Sequence, residues 1–178
     1  MIDLVAFDAE DRCLRGRIEL SADRLADALA AGGALAVKDA QVIDLHSDRR
    51  ELHAHLLVDA RTLSIVVATG PRGSWRRRVP VVTCPAQLYV GRYMLHGILH
   101  AARSQDPVTN AATRPWLAMT EAILEHNEAG RIIRERYEVL LINRAHAKAI
   151  VRTSEDAHES HWLAATPASG PGRVLRRA

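Results

Sequence analysis

The chain has 178 residues, of which 48% are apolar, 25% charged and only 4% aromatic, and it carries a formal net charge of +3. That is the balance of a globular protein with aliphatic cores, long enough for one ordinary domain or two small ones. It excludes a membrane-spanning helix, since no apolar run approaches the roughly 20 residues a bilayer needs, and the two cysteines, Cys13 and Cys84, exclude a disulfide framework.

The N-terminus, "MIDLVAFDAEDR", is acidic and lacks the basic segment of a secretory leader, so a cytoplasmic location with reduced thiols is expected. Short strands follow one another: "LVAFD", "CLRGRIEL", "ALAVKDAQVIDL", "LHAHLLVD" and "LSIVVAT". Their apolar residues alternate, and turn residues separate them. One helix interrupts the series. "SADRLADALAAGG" offers Ser21 as N-cap, an i, i+3, i+4 stripe of Leu25, Ala28 and Leu29, and Gly32 and Gly33 as a stop. The stripe is expected to cap the strands of its own half.

"ATGPRGSWRRRVP" (Ala68 to Pro80) then reads as a basic linker. Beyond it come five more strands: "VPVVTCPA", broken by Pro85, then "YMLHGILHA", "WLAMTEAILEH", "YEVLLINR" and "KAIVRT". "ARSQDPVTNAATRP", at the place of the first helix, has no apolar stripe and reads as a loop. The segment from about Thr153 is rich in small and polar residues, ends basic, and is expected to be a flexible tail. Within it Trp162 suggests docking on the folded part or on a partner.

The two series are one pattern written twice. Gly16 of "CLRGRIEL" aligns with Gly97 of "MLHGILHA", and Ala40 aligns with Ala122. "LLVDARTLSIV" (Leu56 to Val66) aligns with "LLINRAHAKAIV" (Leu140 to Val151). Three collinear blocks, with gaps only between them, indicate a duplication with altered loops. Glycine inside a strand marks a bulge or sharp bend. The equivalent carboxylates Asp39 and Glu121 suit a strand-bulge or hydrogen-bonding role better than acid–base chemistry.

Each copy resembles the Sm-like barrels, the group that includes Sm, LSm and Hfq proteins. The resemblance rests on five strands, the second-strand glycines Gly16 and Gly97, and the third-strand pattern apolar-x-apolar-x-acidic-Ala in "LAVKDA" and "LAMTEA". It extends to a late strand pair around a short turn, and covers nearly all of residues 2–67 and 79–152. The second copy is also similar to an uncharacterised bacterial domain family with a pattern of the type "G-x-L-H … F-L-x-L-T-D-A … L-V-N-R". The resemblance implies two tandem five-stranded small barrels that pair by their edge strands. It also implies an RNA site. Sm-like RNA sites use an Asp and an Asn after the second strand and an Arg-Gly pair in the late turn. Here the first of these loops differs, and the late turns read "DART" and "NRAH". Only Arg61 and Arg144, with Asp59 and Asn143 beside them, match.

The remaining site candidates are few. "GSWRRR" offers Arg76, Arg77 and Arg78 as phosphate contacts and Trp75 as a stacking surface. With the arginines of this linker and of the C-terminus set aside, acidic residues outnumber basic ones, so positive charge is not a property of the fold. Nine histidines include the pairs His53/His55, His96/His100 and His158/His161, but none has the spacing of a zinc motif. No nucleophile elbow, phosphate loop, metalloprotease or dinucleotide motif is present. No metal, cofactor or catalytic residue is therefore expected.

The expectation is an all-β chain: a first Sm-like barrel at residues 1–68 with one inserted helix, a linker at 69–78, a second barrel at 79–152 and a tail at 153–178. Its expected role is non-enzymatic. It would act as a binding and assembly module through barrel-edge homo-oligomerisation and a protein partner. The alternative is an Sm-like protein that binds single-stranded RNA through Arg61, Asn143, Arg144, Trp75 and Arg76–Arg78.

Overall fold

A computed structural model describes residues 1–20, 22–69, 81–128 and 131–168. The first half comprises β1 (Ile2–Asp8), β2 (Arg12–Ile18), α1 (Leu25–Ala31), β3 (Ala34–Asp44), β4 (Arg50–Asp59) and β5 (Leu63–Val67). The second comprises β6 (Val81–Val90), β7 (Tyr93–Ala102), α2 (Pro107–Thr113), β8 (Trp116–Glu128), β9 (Arg131–Asn143) and β10 (Ala147–Arg152). The chain continues through α3 (Glu155–Ala164) to a short β11 (Thr166–Pro167).

The protein is mainly β, and every strand read from the alternation is present. The expected pair of separate barrels is not what the strands form. They make one continuous open sheet in the order β10-β6-β7-β8-β9-β5-β1-β2-β3-β4, antiparallel throughout, with β11 added in parallel to β9. The same internal order, fifth-first-second-third-fourth, occurs twice. The halves are fused because β5 pairs with β9, with Ile65 opposite Ile142, Val66 opposite Leu141 and Val67 opposite Leu140. Pairing these aliphatic strands satisfies two rows of backbone groups that would otherwise be bare edges.

The fusion also mixes the cores. One cluster gathers Leu4, Ile18, Leu29, Val37 and Val66, and takes Leu141 from the second half. The other gathers Leu88, Leu95, Met119, Leu124 and Leu140, and takes Phe7, Cys13 and Ile65 from the first. Fully burying one such leucine stabilises by roughly 1.5–3 kcal/mol, so the exchanged residues hold the halves together.

The third strand of each half carries a bulge. The register of β2 on β3 shifts between Arg15 and Arg17, and that of β7 on β8 between His96 and Ile98. Asp39 and Glu121 are the bulged residues, with positive φ of 49° and 46°. Gly16 and Gly97 face them. A Cβ on Gly97 would overlap the Met119 side chain and lie 2.9 Å from the Thr120 carbonyl; one on Gly16 would overlap Val37. Glycine is required here by close approach, as the sequence pattern indicated.

Three helical expectations change. α1 buries Leu25, Ala28 and Leu29 as expected, but it starts at Leu25 behind Arg24, whose side chain pairs with Asp27 and does not cap the helix backbone, and Ser21 lies outside the described residues. The segment read as a loop in the second half holds α2, because Asp106 caps it by accepting from the Thr109 N–H and Pro107 occupies its first turn. The segment read as a flexible tail holds α3, capped by Ser154 accepting from the Ala157 N–H and packed against β6, β7 and β8. Arg136 lies over the Trp162 ring at 5.1 Å, so this tryptophan docks the segment on the sheet. Pro85 does not break β6. Its carbonyl accepts from the Thr153 N–H just past the last β10 pair, Arg152 with Ala86, so its missing N–H falls at the end of that ladder.

Candidate functional site: the late turns and the strand edges

The two halves meet at their late turns. In the first, Ala60–Thr62 forms a single 3-10 turn whose cap, Asp59, accepts from the Arg61 N–H. In the second, Arg144–His146 forms the equivalent turn, and Asn143 accepts from the Ala145 N–H. Asx side chains at this place close the turn on itself. The β5–β9 pairing brings the turns side by side. The Asn143 amide then donates to the Arg61 carbonyl at 3.2 Å and the Leu63 carbonyl at 2.9 Å. Ser64 Oγ and His146 Nδ1 lie 2.6 Å apart across the same junction.

Of the residues singled out from the sequence, Arg61, Asn143 and Arg144 are thus brought together. Their settings differ from one another. Asn143 is buried and holds the halves together. Arg144 is half-buried: its Nη1 donates to the Ala147 carbonyl of its own turn at 2.9 Å, and its Nε is buried without a hydrogen-bond partner. Arg61 alone of the three is exposed. Trp75, Arg76, Arg77 and Arg78 lie outside the described residues.

The sequence reading passed over the residues of the two outermost strands. β4 and β10 end the sheet, and each has the wrong surface for an edge facing water. On β4, Leu57 is 74% exposed; on β10, Ile150 is half-buried and Val151 is exposed. Leu57 aligns with Leu141, which is 3% exposed, and Ile150 with Val66, which is fully buried. The signal was in the repeat: β4 repeats β9 and β10 repeats β5, and β5 and β9 are paired. An exposed row of unpaired backbone flanked by aliphatic side chains is a template for another strand.

A second cluster lies under α3. The His96 and His161 rings stack at 3.9 Å, and His158 Nε2 stands 3.6 Å from a Glu121 carboxylate oxygen. Burial holds His96 well below the ordinary histidine range, at about 4, and the neighbouring His161 adds to the shift. His96 is therefore uncharged at neutral pH where it packs. Among the described residues no group of three or more His, Cys, Asp or Glu side chains could hold a metal ion. Cys13 and Cys84 are free and buried, and burial raises the Cys13 thiol above its usual range, which disfavours a reactive thiolate.

Among the described residues no helix is long and apolar enough to cross a membrane. No family model, no curated protein and no solved structure matches the chain.

Proposed function

We propose that the chain is a non-enzymatic assembly module of two Sm-like units that joins copies of itself head to tail, β4 of one copy adding to β10 of the next. The contrast between Leu57 and Leu141 carries this reading: one position in the repeat is buried by a neighbouring half at the internal junction and bare at the end of the sheet. The internal pairing supplies a register. Because β5 opposes β9 at Ile65–Ile142, Val66–Leu141 and Val67–Leu140, β10 would oppose a second copy's β4 at Ala149–Val58, Ile150–Leu57 and Val151–Leu56. The two free edges differ from one another, so the contact is heterologous and leads to a ring or a filament. Light scattering at tens of micromolar tests it. Assemblies that Leu57→Arg reduces to monomers are expected, and a monomeric wild-type chain would overturn the reading.

A second reading is RNA binding. It is favoured by the adjacency of the exposed Arg61 to Arg144 at the joined turns. On this reading the protein purified at low salt has a raised 260/280 nm absorbance ratio that a 1 M salt wash lowers.

A further inference from the structure

The internal junction and the two free edges are not chemically identical at the late turns. At the internal junction the Asn143 amide donates to the Arg61 and Leu63 carbonyls. Carrying the same geometry to the free edges puts Asp59 of one copy in the place of Asn143. The Ala145 and Ala147 carbonyls of the next copy take the places of those of Arg61 and Leu63. A carboxylate has no proton to give a carbonyl, so the bond that joins the halves cannot be repeated between copies. Left uncompensated, a carboxylate against two carbonyl oxygens would oppose the contact.

The β10 end carries the compensation. Arg144 replaces Ala60 of the first half, and its guanidinium already sits on the Ala147 carbonyl at 2.9 Å, with Nε buried and unbonded. Lys148, exposed, replaces Ser64 at the bulge that both halves carry between the first and second paired residues of the fifth strand. Two cations thus stand where the internal junction has an alanine methyl and a hydroxyl. On the other side, Asp59 uses Oδ1 to close its turn, and Oδ2 is unpaired among the described residues. An arginine with a spare donor is the group that binds a carboxylate best.

We infer that Asp59 of one copy is clamped by Arg144 and Lys148 of the next, so that the contact between copies is an ionic version of the neutral internal one. The inference rests on the edge-pairing reading and adds its chemistry. The clamp makes assembly sensitive to ionic strength, which the fused internal junction is not. It also sets polarity. Asp59 stands on the β4 edge and Arg144 and Lys148 stand by the β10 edge, so head-to-tail growth is the arrangement that brings the clamp together.

The test is sedimentation velocity on the full chain at about 50 and 500 mM NaCl, for wild type and Lys148→Glu. Lys148 is exposed at its bulge, so the variant folds. Wild type should associate at 50 mM and weaken at least about tenfold at 500 mM. Lys148→Glu should associate at least about tenfold more weakly than wild type at 50 mM and lose most of the salt dependence. A Lys148→Glu chain that associates within about threefold of wild type, or more tightly, overturns the clamp while edge pairing stands. A wild-type chain that is monomeric in both salts overturns the pairing reading itself.

Discussion

Leu57 and Leu141 occupy the same place on the fourth strand of their halves, yet Leu141 is 3% exposed and Leu57 74%. The difference lies entirely in the neighbour. Leu141 enters the cluster of the other half, whereas Leu57 lies on the outermost strand of the sheet. Alanine at the two positions should therefore have opposite readouts. Leu141→Ala should lower folding stability by about 2–5 kcal/mol, as large-to-small changes in a core do. Leu57→Ala should change it by less than about 0.5 kcal/mol and weaken association between copies instead. Urea denaturation of both variants, followed by sizing, checks the pair. An equal loss of stability at both positions would mean that β4 is covered within a single chain.

Asn143 is the second test of the junction. It makes three bonds in a buried place, two of them to carbonyls of the other half. Asn143→Ala should cost about 2–3 kcal/mol, mostly from carbonyls left dry and unpaired. Asn143→Asp should cost more at neutral pH, because a carboxylate faces the same two carbonyls, and should partly recover on acidification as the carboxyl regains a proton to donate. Denaturation midpoints at pH 7 and pH 4.5 for the two variants separate these effects.

Much of this architecture was legible before the structure and some was not. Ten strands and the two bends at Gly16 and Gly97 follow from alternation and from a repeat strict enough to align strand by strand. α2 and α3 were missed because neither has an apolar stripe: α2 buries only Pro107 and Ala111, and α3 only His158. Their caps, Asp106 followed by proline and Ser154 followed by two acids, were the available signal, and periodicity outweighed it. The joining of the halves through β5 and β9 is a long-range pairing that no local pattern encodes. The same limit applies to Arg144. Its spacing resembles an RNA-binding turn, but its direction, back onto Ala147, is set by the turn's own carbonyl.

The bend glycines give a prediction that separates the halves. At Gly97 an added Cβ meets the Met119 side chain and, at 2.9 Å, a backbone oxygen that cannot move without distorting the bulge at Glu121. At Gly16 it meets a Val37 methyl and the Lys38 carbonyl at 3.0 Å. Both alanine variants should be destabilised, by about 1–3 kcal/mol as overpacked cores are. In Gly97→Ala the bulge under α3 should loosen as well, which hydrogen exchange at the β7–β8 pairing would show as faster exchange than at β2–β3.

Acid should loosen the α3 contact in a defined window. His96 ordinarily titrates at 6.5 and is pushed down to about 4 where it packs, chiefly by burial and then by His161. His100, on the same strand, is also lowered by burial. Between the two values the unfolded chain binds a proton that the packed chain does not, so stability rises with pH across that range and is lost as pH falls from about 6.5 toward about 4. The groups facing His96 act in both directions: Glu125 favours its charge, whereas His161, His158 and Arg134 oppose it. The net loss should be on the order of 1–3 kcal/mol. It is relieved most directly by release of α3, since His161 and His158 lie on that helix. Limited proteolysis after Arg152 should accelerate between pH 7 and pH 5 in the wild type, and His96→Gln, which has no charge to gain, should flatten that dependence. Cleavage that does not change with pH in the wild type would place the acid-sensitive contact elsewhere.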